Sequence, residues 1–154
     1  MRPLDARVPP VLPDPRPIAT IDHLSLGVND LARSKRFYDA ALAPLGLVPH
    51  EQIPGEVGYG PVGAPPAEGF AFYIGFEDPA AKRPVTASAG FHVAFHAPTR
   101  EAVRRFHAAA LAHGGRDFGP PGVRPHYHAS YYGAFVLDPD GHHVEAVCHA
   151  PEPE

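Results

Sequence analysis

Histidines and one carboxylate at particular strand positions are the residues of this sequence that could do chemistry. The chain carries 11 histidines but only two lysines. His23 and His92 each stand in a segment where apolar and polar residues alternate, and Glu145 stands in a third such segment. Neutral imidazoles and a carboxylate are suitable ligands for a divalent transition metal. If the fold brings these three side chains together, the sequence predicts a metal site.

The equivalence of His23 and His92 follows from an internal repeat. Without any gap, segment 21–46 aligns with segment 90–115, and eight of the 26 positions are identical. His23 aligns with His92, and an Arg-Phe pair, four consecutive helix residues and a final glycine keep the same register. Chance similarity between two alanine-rich helices does not explain a match at all of these positions. The sequence therefore predicts two copies of one supersecondary unit.

Each copy is predicted to begin with a strand and a helix. In the first copy, residues 21–28 alternate, and Asp30 is a good N-cap for the helix that follows. In the second copy the helix begins near Thr99, and glycine ends both helices. Short strands follow, at 47–53, 57–60 and 71–77 in the first copy and at 116–118, 131–137 and 142–149 in the second. This pattern predicts an α+β domain of two βαβββ modules, at about 20–78 and 89–150.

Alternation along the predicted strands separates an apolar face from a polar one. Bulky apolar residues, among them Phe91, Val93 and Phe95, form one layer that we expect beneath the helices. An unpaired carboxylate within an apolar strand is costly, and a metal ion or a cationic partner would remove that cost. We therefore expect a cupped, incomplete β-barrel around one metal ion, with the helices on its outer face. Its polar lining comprises His23, Ser25, Tyr73, His92 and Glu145.

Composition narrows the function classes. A chain of 154 residues suits one domain, and its net charge of -4 without an Arg/Lys block argues against nucleic acid as a partner. No apolar run approaches 18 residues, so no membrane span is expected. The single cysteine, Cys148, is expected to be buried and favours a reducing compartment, hence a cytoplasmic location. A Pro-rich extended arm at 1–19 and a frayed tail at 151–154 flank the domain at 20–150.

A second cluster of polar and aromatic residues precedes the predicted strand 131–137. One interpretation is a rigid loop with exposed rings. The other is a pocket rim that contacts substrate oxygens or transfers a proton, with His126 and His128 as candidate general bases. The cluster comprises Arg124, His126, His128, Tyr131 and Tyr132.

Two segments of the chain carry a family resemblance. The first is IDHLSLGVNDLARSKRFYDAALAPLGL and the second is AFVLDPDGHHVEAV. Together they resemble the vicinal oxygen chelate superfamily, which includes glyoxalase I, extradiol dioxygenases, fosfomycin-resistance thiol transferases, methylmalonyl-CoA epimerase and bleomycin-binding proteins. The ending also looks like a group of small bacterial glyoxalase-like proteins. The resemblance extends over residues 20–150.

The resemblance implies a site and its ligands. It places metal ligands at His23, His92 and Glu145, and the fourth-strand carboxylate of glyoxalase I corresponds to Tyr73, with Glu77 as an alternative. Zn, Ni, Fe(II), Mn and Co all remain possible metals. Glu145, His126 and His128 are the candidate catalytic residues. The expected substrate-binding residues are Ser25, Tyr73, Arg124, Tyr131 and Tyr132.

The resemblance also implies a function. A small substrate would bind one divalent metal through two adjacent oxygens, and the metal would act as a Lewis acid in a lyase or isomerase reaction. Two alternatives stay open: a ring-cleaving extradiol-type dioxygenase, and a small-molecule or antibiotic-binding resistance protein. The expected partners are a small-molecule substrate and a second copy of the chain, in a homodimer.

Overall fold

The computed structural model describes residues 21–64, 71–75 and 84–151. The predicted arm at 1–19, Glu77 and residues 152–154 lie outside this part of the chain. The elements follow in the order β1 (His23–Gly27), α1 (Leu31–Leu42), a 3-10 turn (Ala43–Leu45), β2 (Leu47–Ile53), β3 (Glu56–Pro61), β4 (Ala71–Gly75), β5 (His92–His96), α2 (Arg100–Ala112), β6 (Arg116–Val123), β7 (Tyr132–Leu137) and β8 (His143–Cys148). The predicted pair of βαβββ modules is confirmed.

Each module contributes one four-stranded sheet. The first has the strand order β1-β4-β3-β2 and the second β5-β8-β7-β6, and the described strands are not closed into a barrel. In both sheets the strand before the helix pairs in parallel with the last strand of its module, and the other pairs are antiparallel. The two histidine-bearing strands, β1 and β5, therefore stand at one end of their sheets.

Side-chain caps fix where the two helices begin. The Asp30 carboxylate accepts a hydrogen bond from the Arg33 amide at 2.9 Å, and the Thr99 hydroxyl oxygen accepts one from the Ala102 amide at 3.1 Å. Such caps satisfy amides that have no partner within the helix and contribute about 1 kcal/mol each. At the other end of the first helical segment, Gly46 adopts φ 79°, which favours glycine. The caps therefore fix the residues at which α1 and α2 begin, shortly after β1 and β5.

The apolar faces of both sheets share one core with the two helices. Phe72 of β4 and Phe95 of β5 pack edge to face, with ring centroids 5.1 Å apart, so the modules meet through aromatic side chains. Tyr38 of α1 packs on Phe72 at 5.2 Å. Cys148 is buried, as predicted. Since strand residues alternate, the polar faces of the two sheets turn away from this core.

The turn at 138–141 joins the second module to the first. The buried Asp138 carboxylate accepts hydrogen bonds from the Tyr38 hydroxyl at 2.9 Å and from the His142 amide at 2.8 Å. Asp140 accepts bonds from the Asn29 amide at 3.1 Å and the Asn29 side chain at 2.9 Å. Burial raises the pKa of Asp138, against the opposing effect of its hydrogen bonds. The turn thus holds the start of β8 against the β1–α1 corner.

Two details of the predicted strands differ from the structure. The strand predicted at about 116–118 is present but longer, since β6 spans Arg116–Val123 in spite of Pro120 and Pro121. It is an end strand, and its register shifts twice along β7, so prolines are tolerated there. The alternation predicts Phe91 in the buried layer, but this residue is 43% exposed, because it lies just before β5.

No helix in the described ranges combines the length and the apolar character needed to cross a membrane.

Candidate metal and substrate site

His92 and Glu145 meet on the polar face of the second sheet. Glu145 of β8 pairs with Ala94 of β5, so His92 stands two residues away on the same face, and the small Ala94 leaves space between them. His92 Nε2 lies 3.2 Å from Glu145 Oε2. The imidazole is half exposed, whereas the Glu145 side chain is only 1% exposed. A carboxylate this deeply buried requires polar partners.

The distance between these two side chains distinguishes them from the other histidine–carboxylate pairs. His23 and Asp22 are 2.7 Å apart, and His107 and Asp117 are 2.8 Å apart, as in ordinary charge-assisted hydrogen bonds. Two ligands that share a metal ion at about 2.0–2.2 Å stand roughly 2.8–3.6 Å from each other when their angle at the metal is near 90–109°. The 3.2 Å between His92 and Glu145 falls within that range. The pair therefore fits two neighbouring ligands of a divalent ion.

The second carboxylate oxygen of Glu145 is hydrogen-bonded to Tyr131. The Tyr131 hydroxyl donates to Glu145 Oε1 at 2.6 Å. Tyr131 is itself held by its backbone, since its amide donates to His128 O at 3.0 Å and its carbonyl accepts from the Arg124 amide at 2.8 Å. Burial, and then the hydrogen bond to Glu145, raise the pKa of the Tyr131 phenol above its usual range. Tyr131 therefore remains protonated and donates to the carboxylate at neutral pH.

Gly133 is a site residue that the sequence analysis missed. A Cβ atom there would lie 3.0 Å from Glu145 Oε1 and 3.2 Å from the Tyr131 ring. Only glycine leaves this space without a shift of its neighbours. The one sequence signal was a glycine inside a predicted strand, which often marks a close approach of other groups.

His23, Ser25 and Tyr73 lie on the polar face of the first sheet. Ser25 pairs with Tyr73 across β1 and β4, and the rings of His23 and Tyr73 are 5.8 Å apart, edge to face. The Tyr73 ring covers Gly58, where a Cβ would come within 2.7 Å of it. His23 Nδ1 contacts Asp22. Of the three predicted ligands, the structure thus brings His92 and Glu145 together and leaves His23 on the other sheet. In the described part of the chain, no three His, Cys, Asp or Glu side chains are grouped closely enough to hold a metal.

The loop histidine His128 forms a hydrogen-bonded pair with His149, a residue that the sequence analysis did not single out. The Ser130 amide donates to His128 Nδ1 at 3.2 Å, so neutral His128 carries its proton on Nε2. That Nε2 lies 2.8 Å from His149 Nδ1 and donates to it, which leaves the His149 proton on Nε2. Both ring nitrogens of His128 are engaged, and it can accept a proton only after one of these bonds opens. His126 packs on Tyr127 and is exposed.

Arg124 and Tyr132 occupy different surroundings. The Arg124 guanidinium donates to Pro120 O at 2.7 Å and lies over the ring of Phe135, the residue that pairs with Glu145. Tyr132 faces the helix side instead. Arg100 lies 5.1 Å from the centroid of its ring, and Arg104 donates to its hydroxyl at 3.3 Å. The structure brings Arg124 to the polar face but does not bring Tyr132 to Glu145.

The family model of the Glyoxalase/Bleomycin resistance protein/Dioxygenase superfamily matches residues 20–146. The chain belongs to this superfamily. A glyoxalase/bleomycin resistance protein from Albidiferax ferrireducens T118 is 34% identical, with a TM-score of 0.70 and coverage of 86% of this chain and 98% of that one. A comparison with curated proteins gave no significant match.

More distant superfamily structures share the fold. A glyoxalase-related enzyme from Fulvimarina pelagi is 23% identical, with a TM-score of 0.64 and coverage of 85% of this chain and 88% of that one. For a putative glyoxalase from Bacillus halodurans the identity is 20% and the TM-score 0.63, over 85% and 96% of the two chains. The superfamily match includes both modules and therefore the positions of His23, His92 and Glu145.

Proposed function

We propose that this protein is a glyoxalase-like metalloenzyme that acts on a small substrate with two adjacent oxygens, in a lyase or isomerase type of reaction. The buried Glu145 carboxylate, 3.2 Å from His92 Nε2, is the observation that carries the proposal. An isolated buried carboxylate would be costly, and a cation held between Glu145 and His92 would remove that cost. A divalent ion bound there would supply a Lewis acid for the substrate oxygens.

The third protein ligand in this proposal is His23. It stands on β1, and both β1 and β5 are end strands whose open edges suit pairing with another chain. Ile21 and Phe91, just before these strands, expose 67% and 43% of their surface. These features support a homodimer in which one copy supplies His92 and Glu145 and the other supplies His23.

The remaining polar-face residues are proposed to bind the substrate and move its proton. Ser25 and Tyr73 lie beside His23, and Arg124 offers a guanidinium on the other sheet. His126 and His128 are the proposed bases. Before it can accept a proton, His128 must break its hydrogen bond with the Ser130 amide or with His149. His126 packs on the Tyr127 ring and is exposed to solvent.

Metal analysis and oxygen dependence together test the proposed function. The full chain should bind about one Zn²⁺, Ni²⁺, Co²⁺, Mn²⁺ or Fe²⁺ per protomer, and a chelator should abolish turnover of a substrate with adjacent oxygens, with and without air. Turnover only in the presence of O₂ would indicate a dioxygenase. Tight ligand binding by metal-free protein, without turnover, would indicate a binding protein. Either result contradicts the proposal.

Variants of the loop histidines separate proton transfer from metal binding. We expect His126→Ala or His128→Ala to keep the metal but to lower kcat by about 10²–10⁴-fold for the variant that removes the general base. The measurement is elemental analysis beside steady-state kinetics. Loss of metal in these variants, or unchanged kcat in both, would contradict the assignment.

A further inference from the structure

Glu145 is held at both of its oxygens, but by different groups. Oε1 accepts from the Tyr131 hydroxyl at 2.6 Å, whereas Oε2 lies 3.2 Å from His92 Nε2. A carboxylate with two equivalent, unoccupied oxygens can turn and bind a metal through one or both of them. Here one oxygen is already committed to a short hydrogen bond.

Tyr131, whose hydroxyl binds Glu145 Oε1, is held in place by its backbone and its ring contacts. The Tyr131 backbone is fixed by hydrogen bonds to His128 and Arg124. Its ring is packed between Tyr127, at 4.7 Å, and His149, at 5.3 Å. Gly133 supplies the space in which the hydroxyl and the carboxylate meet.

We propose that Tyr131 is a positioning residue that turns Glu145 so that only Oε2 faces His92, and that Gly133 is required for this arrangement. The metal would then be bound through a single oxygen of Glu145. The hydroxyl of Tyr131 is thus committed to the protein and not to a substrate oxygen. The metal-binding part of this proposal rests on the proposed function, whereas the hydrogen bond itself does not.

Tyr131→Phe removes the hydroxyl and keeps the ring. Tyr132→Phe is the matched control, because it removes the hydroxyl of the next residue, which faces the helix side of the sheet. Loss of a partner that orients a ligand weakens metal binding by about 10–100-fold. We expect Tyr131→Phe to lose Zn²⁺ and Co²⁺ affinity by this factor. Tyr132→Phe should change the affinity by less than about twofold. The Co²⁺ complex of Tyr131→Phe should also change its visible spectrum, because the released carboxylate can add its second oxygen.

Gly133→Ala tests the space and leaves the hydroxyl in place. Its methyl group would come 3.0 Å from Glu145 Oε1, whereas that of Gly119→Ala would come equally close, 3.0 Å, to the ring of Phe135. Only Gly133→Ala should weaken Co²⁺ binding. Unchanged metal affinity in both Tyr131→Phe and Gly133→Ala would overturn the proposal.

A double-mutant cycle on the metal-free protein measures the Tyr131–Glu145 hydrogen bond independently of metal binding. An unpaired buried acceptor lowers the folding equilibrium constant by about 5- to 150-fold, so Tyr131→Phe should show such a loss in urea unfolding. In a Glu145→Ala background the same change should have less than about a twofold effect. If the wild-type protein binds no metal, the proposed function fails, and the double-mutant cycle alone tests the positioning role of Tyr131. Coupled losses of stability support that role, and additive losses overturn it.

Discussion

Replacing His92 or Glu145 with alanine is expected to reduce metal affinity far more than the roughly 10–100-fold that follows from losing an orienting partner. Each change removes one of the two donors that stand 3.2 Å apart, and the proposed three-ligand site would then keep only two protein ligands. Metal content after dialysis, measured by elemental analysis, should fall to background. Turnover should fall with it.

His96→Ala is the matched control for His92→Ala. His96 lies on the same strand and the same face, four residues further on, and is also exposed. It should leave the metal content unchanged. Equal loss in both variants would show that the polar face as a whole, and not the His92–Glu145 pair, determines metal binding.

If the protein forms the proposed homodimer, mixed dimers test the contribution of His23. His23→Ala and His92→Ala should each bind no metal alone, but after subunit exchange each mixed dimer should regain one site, because one intact His23 then meets one intact His92. A monomer in sedimentation, or no recovery of metal on mixing, would contradict a site shared between two copies.

Phe72→Ala is expected to destabilise the protein by about 3–5 kcal/mol. Phe72 is 1% exposed, and its ring contacts Phe95 of the other module at 5.1 Å and Tyr38 at 5.2 Å. The cavity would therefore open where the two modules meet. Since small domains unfold with about 5–15 kcal/mol in total, this one change removes a large fraction of the free energy of unfolding.

Phe118→Ala provides the comparison, since Phe118 is an aromatic residue of β6 with 55% exposure. Its ring contacts that of His143 at 4.3 Å, so its effect on the free energy of unfolding should stay below about 1.5 kcal/mol. Urea unfolding at unchanged m-value measures both. A loss below about 1 kcal/mol in Phe72→Ala would mean that the modules fold without this contact.

The repeat and the alternation of residues are sufficient to predict the modules. Because a helix cap is local, Asp30 and Thr99 mark helix starts within a few residues of sequence. Because side chains alternate along a strand, the sequence alone places His92 and Glu145 on the polar face. The parallel pairing of β5 with β8 then places His92 Nε2 3.2 Å from Glu145 Oε2.

Other features depend on contacts between residues distant in sequence, which no local pattern encodes. His23 lies in a different sheet from the His92–Glu145 pair because β1 pairs with β4 whereas β5 pairs with β8, and each of these strand partners is distant in sequence. The adjacent Tyr131 and Tyr132 acquire different roles because their long-range partners differ: Tyr131 donates to Glu145, whereas Tyr132 contacts Arg100 and Arg104 of α2. The sequence by itself therefore determined the modules and the donor types, whereas packing across the chain decided which donors meet.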